Sequence, residues 1–243
     1  MTAVSFFSGL SNPARFMAVS RWLAPALAAA AAALMLVGLW LGVQVPDDYQ
    51  QGATVRIMFV HVPAAWLGMF IYVCLAGASF FGLVFRHALA DAAAKAAAPL
   101  GAAFTALALV TGSIWGRPMW GAWWVWDARL TSELILFLLY LGYMALHAAL
   151  DDEARAARNA AILALMGVVI LPIIHFSVVW WNSLHQGSTI FTATGSKASA
   201  VYVTPLLLMA VGYTVLFLSL WLVRTRTEVW RRRAAANALR NAR

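Results

Sequence analysis

Val62–Phe85, VPAAWLGMFIYVCLAGASFFGLVF, contains no Asp, Glu, Lys or Arg. A hydrocarbon core about 30 Å thick is crossed by roughly 20 apolar residues in helical form, so this stretch reads as a membrane-spanning helix. In lipid each backbone polar group must be satisfied within the segment, which leaves helix as the conformation for an unbroken run of this length. On either side of it, Leu23–Val43, Ala96–Trp115, Ala160–Trp181 and Ala198–Val223 are equally free of formal charge, and Leu130–Ala149 carries only Glu133. The expected fold is an all-α integral membrane protein with six transmembrane helices, over about 23–43, 62–85, 96–115, 130–149, 160–181 and 198–223, forming a single domain across 1–243.

Composition agrees. The chain of 243 residues is 63% hydrophobic and 11% charged, where a soluble domain averages about 25% charged. Its basic balance, +8 at neutral pH, does not point to nucleic acid, because seven of the 17 Lys and Arg fall in 224–243, as in a cytoplasmic tail beside a membrane. The single Cys74 lies inside an apolar run, which excludes an internal disulfide, a CxxC pair and a thiolate metal cluster.

Positive charge also sets the expected orientation. Arg15, Arg21, Arg86, Lys95, Arg155, Arg158 and the tail place thirteen cations on one face, against Arg56, Arg117, Arg129 and Lys197 on the other. Both termini are therefore expected in the cytoplasm, with the first, third and fifth loops outside. The first run is too long for a signal-peptide core and no cleavage signal follows it, so it reads as a retained helix. Gly38/Gly42 and Gly112/Gly116 have the spacing that lets membrane helices approach closely, and read as packing positions.

The chain has 12 Trp, more than interfacial anchoring requires, and five of them lie in the outer stretch 115–127, WGRPMWGAWWVWD: Trp115, Trp120, Trp123, Trp124 and Trp126. One reading is a thick aromatic belt at headgroup level. The other is an apolar platform for a planar π system, on which indole stacks well; a porphyrin is the largest such system a cell commonly moves. His61 and His185 fall in the first and fifth loops, on the same face as this platform. Neutral imidazole is the commonest protein donor to haem iron, which takes one axial ligand on each side of the ring. Taken singly, His61 has a structural alternative as a helix cap before Pro63, and His185 as a solvated loop residue. Haem propionates favour the planar fork of Arg, and Arg56, Arg117 and Arg129 lie on the correct face. Arg129 has a second possible role as partner of Glu133 four residues on. Asp127 reads as the N-cap of the fourth helix, and His175 as a hydrogen-bonding residue near the outer end of the fifth.

The run WGRPMWGAWWVWDARLTSELILFLLY, with HVPAAW at His61 and WWNSLHQGST around His185, closely resembles the WWD-domain haem-handling proteins. Within them it resembles the cytochrome c maturation protein C family (CcmC, haem exporter protein C). The resemblance covers the whole chain, and the three motifs agree in order and in membrane side; the larger cytochrome c synthetase subunits share the Trp motif but have more spans. It implies a protein of the bacterial inner membrane that binds haem b non-covalently at the periplasmic face, with His61 and His185 as the axial iron ligands. The periplasmic loop 115–127, ending at Asp127, would hold the haem and engage the haem chaperone CcmE. The implied partners are CcmE, the membrane subunits CcmB and CcmD, the ATP-binding subunit CcmA and membrane lipid. The chain itself would be no enzyme; ATP hydrolysis would belong to a partner. Because neutral His is the ligand, protonation at low pH would weaken haem binding.

Two other functions are weighed. A transporter carrying haem through its helices would show polar residues at mid-depth, where the sequence offers chiefly Glu133 and His175. A membrane quinol or haem b oxidoreductase would need facing histidines within spans, and only His175 lies clearly inside one.

Overall fold

The computed structural model describes residues 12–181, 183–185 and 199–241. Lys197, the Ala198 start of the sixth expected span, Asn182 and the Gln186–Thr189 part of the third motif lie outside them. The described residues are all helical apart from loops and an isolated bridge between Asp48 and Gly52. They include six helical segments long and apolar enough to cross a membrane.

The elements are α1 (Pro13–Gln44), a 3₁₀ turn (Ala53–Ile57) leading into α2 (Met58–Phe85), α3 (Ala88–Trp120), α4 (Ala128–Ala149), α5 (Glu153–Gly167), α6 (Ile170–Trp180) and α7 (Ala200–Asn241). Their starts are written in the sequence. Asn12, His87, Asp127 and Asp152 each accept a bond from the first-turn amides of α1, α3, α4 and α5, supplying partners to donors that have none in the helix. Gly121 ends α3 at φ +76°, the left-handed conformation glycine adopts without a Cβ penalty.

Most helices outrun their charge-free cores. α3 extends from Ala88 to Trp120, so Trp115 and Trp120 are helical and the non-helical connection to α4 is 121–127. α7 continues through the basic stretch to Asn241. The fifth span is divided into α5 and α6 at Val168–Val169, and Pro172 explains the break: it has no N–H to give the Val168 carbonyl four residues back, and its ring crowds that carbonyl.

α2 and α3 form the centre, packed on each other and flanked by α4, α5 and α7, while α1 lies against α7 with little else. Gly101 lets α3 meet α4 closely; a Cβ there would stand 2.0 Å from the Tyr140 ring. Gly38 and Gly42 do serve packing, receiving Met209 of α7 and Phe59 of α2.

The two ends differ. At one, Lys95, Arg231 and Arg232 surround buried Glu228, at 3.2, 2.8 and 3.0 Å, with Glu153 beside them. Arg226 bonds the Met17 carbonyl, and the basic stretch from Arg224 onward is thereby tied to α1, and through Glu228 and Arg231 to α3 and α5. At the other end, Tyr202 Oη donates to the Pro46 carbonyl at 3.1 Å, Trp115 Nε1 to Gln51 Oε1 at 3.2 Å, and Asp127 meets the 183–185 segment. The first, third and fifth loops thus converge.

Candidate functional site

His61 stands in the first turn of α2, where its imidazole fills the space left by Gly112 of α3; a Cβ on Gly112 would approach His61 Cε1 to 3.0 Å. His61 Nδ1 lies 3.0 Å from the Ala108 carbonyl and 3.1 Å from Thr111 Oγ1. A carbonyl only accepts, so Nδ1 carries the proton and Nε2 presents a lone pair. Thr111 can accept as well, because its own hydroxyl donates to the Leu107 carbonyl at 2.6 Å. The ring of Trp115 stands edge-on to this imidazole, centroids 5.6 Å apart at 77°.

His185 is held by a different set. Its Nδ1 is 2.9 Å from Asp127 Oδ2, and its backbone N–H donates to Ser183 Oγ at 3.1 Å. Ser183 donates to the same Asp127 oxygen at 2.6 Å, and the Leu130 amide donates to Asp127 Oδ1 at 2.8 Å. Asp127 is only 6% exposed and His185 18%. Burial pushes the Asp127 carboxyl up, but the bonds from Ser183, Leu130 and His185 outweigh it and hold the group below its ordinary value. Burial lowers His185, against the raising effect of Asp127. Both directions describe one state, an ionised carboxylate accepting from a neutral imidazole, rather than an ion pair. Trp120 stands edge-on to His185, 4.8 Å away at 68°.

Trp115 and Trp120 are five residues apart near the end of α3, about 7.5 Å along its axis, and each flanks one histidine. Neither Nε2 has a partner among the described residues. Two imidazoles of fixed tautomer thus sit at one end of the bundle with each Nε2 unbonded by any described residue, and neutral imidazole with a lone pair on Nε2 is the state in which the ring ligates iron.

The remaining expected residues divide. Arg56 is committed to its own loop, bonding the Val43 and Val45 carbonyls at 3.1 and 2.8 Å and Asp47 at 2.8 Å. Arg117 closes the end of α3 by bonding the Gly121 carbonyl. Arg129 has no side-chain bond to any described residue and is half-buried at the start of α4. It makes no ion pair with Glu133, whose Oε1 is buried without a partner among the described residues; that pairing, expected from the four-residue spacing, does not form. Trp123 and Trp126 are 60% and 74% exposed, and Trp124 meets Trp126 edge-on at 77°, so the indoles present several faces rather than one plane. His175 is exposed and bonds no described residue, contrary to its expected role. Gly112 serves packing as its spacing suggested, and the side chain of α2 that it receives is His61. Ser183, Thr111 and Gln51 escaped sequence reading; only Ser183, two residues before a histidine, carried a signal, since serine there readily bonds nearby backbone.

Residues 6–240 match the family model described as CcmC, heme exporter protein C. Curated relatives named heme exporter protein C include one from Bradyrhizobium diazoefficiens, 58% identical over 92% of this chain and 85% of its own length. Those of Paracoccus denitrificans and Escherichia coli are 49% and 50% identical over 93% and 90% of the chain, and 94% and 89% of their own lengths.

Proposed function

The chain belongs to the heme exporter protein C family, and from that premise we propose that it binds haem b non-covalently at its Trp-rich end and presents it to a haem chaperone. Iron is held between Nε2 of His61 and Nε2 of His185. The observation that carries this reading is the pair of tied Nδ1 atoms, which leaves a lone pair on each imidazole at the same end of the bundle. Arg129, with no other described partner, takes a propionate. Trp115 and Trp120 border the porphyrin, while the exposed Trp123 and Trp126 face lipid or the chaperone. The protein supplies orientation and shelter from water, and the chemistry of covalent haem attachment belongs to haem and its acceptor.

The excess of Lys and Arg at the opposite end supports an orientation with that end in the cytoplasm and the haem end at the periplasmic face of the bacterial inner membrane. The resemblance to cytochrome c maturation protein C extends the proposal to CcmE as the chaperone, with CcmB, CcmD and an ATP-hydrolysing CcmA in one complex. Presentation is favoured over passage through the helices by the bundle's packing: Leu67, Ile71, Leu75 and Leu136 are fully buried in one apolar core.

The visible spectrum of purified protein tests the ligands. His61→Ala and His185→Ala each abolish the low-spin bis-imidazole spectrum, and added imidazole restores it. An unchanged spectrum in both variants overturns the assignment.

A further inference from the structure

The two proposed ligands are the same side chain in the same tautomer, yet their Nδ1 protons go to acceptors of different charge. His61 donates to neutral oxygens, the Ala108 carbonyl and Thr111 hydroxyl. His185 donates to a carboxylate that is 6% exposed and shielded from water. We propose that Asp127 makes His185 the anchoring ligand of haem and leaves His61 as the ligand that exchanges first when haem is handed on. This rests on the bis-histidine reading above.

A carboxylate accepting the Nδ1 proton draws it away and pushes electron density onto Nε2, which strengthens the bond that nitrogen makes to a metal; such outer partners change metal affinity about 10- to 100-fold. A carbonyl or hydroxyl does so far less. Asp127 is suited to the task because its own position is fixed, with Oδ1 on the Leu130 amide and Oδ2 on Ser183. Ser183 also receives the His185 backbone N–H. The clamp offsets the looseness of a ligand that sits beyond a helix end, whereas His61, inside α2, is positioned by its helix and by the cavity at Gly112. His61 therefore has placement without electronic reinforcement. In the exchange, the iron–Nε2 bond to His61 breaks as a donor atom of the acceptor protein bonds iron. Iron keeps its oxidation state, and His61 leaves as a neutral imidazole whose Nδ1–H still donates to the Ala108 carbonyl.

The test uses full-length haem-loaded protein, with haem retention followed by dilution into a haem-scavenging apoprotein, and with the haem reduction potential measured alongside. His61→Ala keeps haem on His185 and loses it about 10-fold more slowly than His185→Ala loses haem from His61. Asp127→Asn preserves helix capping, since Asn caps as well as Asp, and keeps the bis-imidazole spectrum. It raises the reduction potential and removes the difference between the two alanine variants, and Asp127→Glu restores part of it. Equal retention by the two alanine variants overturns the proposal. So does an Asp127→Asn protein whose potential and ligand preference match the parent, because Asp127 would then be a cap and nothing more. A bis-imidazole spectrum unaffected by either alanine substitution is a separate result, and defeats the ligand assignment itself.

Discussion

Arg129 stands apart from the other two arginines at the Trp-rich end because its guanidinium bonds no described residue, whereas Arg56 closes a loop and Arg117 closes α3. A half-buried cation without an acceptor is costly unless a ligand supplies one, so Arg129→Gln weakens haem binding by about 10-fold, near the 1.5–3 kcal/mol of a charged hydrogen bond, while the spectrum stays bis-imidazole. A haem titration of the variant measures this, and unchanged affinity would remove Arg129 from the site. Sequence alone put all three arginines on the same face as the Trp cluster but could not separate them, because what distinguishes them is the local carbonyls each one meets. It likewise marked His61 and His185. The bond from His185 to Asp127 was invisible, since 58 positions separate them and Asp127 had a sufficient local role as a helix cap.

At the scale of the element, five charge-free runs and a sixth carrying only Glu133 pointed to six spans, the number of helical segments long and apolar enough to cross a membrane among the described residues, and the structure shows where that signal stops. A run ends at the first charge, but a helix ends where its amides and carbonyls find other partners, so α3 continues past Arg117 to Gly121 and α7 past Arg224 to Asn241. Close approach is equally hard to read: Gly101 follows Pro99 in an alanine-rich stretch with nothing to mark it, yet Tyr140 lies over it and donates to the Gly68 carbonyl at 2.8 Å. Gly101→Val forces α3 and α4 apart and costs about 1–3 kcal/mol of overpacking. A lowered thermal unfolding midpoint of the detergent-solubilised protein checks it; the milder Tyr140→Phe, which leaves that carbonyl without its donor, shifts the midpoint less.

Across the whole molecule, the polar work is divided between the ends. The Trp-rich end leaves Nε2 of His61 and of His185 without a partner among the described residues, while the opposite end ties its charges to one another around Glu228. Removing a carboxylate that three cations share leaves them with Glu153 as their remaining acidic partner among the described residues, which costs about 1–3 kcal/mol, since Glu228 is buried and the cations are partly exposed. Glu228→Gln therefore lowers the unfolding midpoint and leaves the haem spectrum alone. A changed spectrum would mean that the two ends are coupled.

α1 rests on α7 and touches little else, and these are the first and last spans of the chain. During synthesis the first helix enters the bilayer with its proper neighbour still unmade, and it waits in lipid while the intervening spans assemble. Ser219, whose hydroxyl bonds the Ala24 carbonyl at 2.8 Å, and Met209, packed into the space beside Gly38, are translated only after α2 to α6. Closure of the bundle is thus a late event in the protein's biogenesis, and a chain stalled before α7 has a solitary helix exposed to whatever membrane quality control surveys unpaired spans.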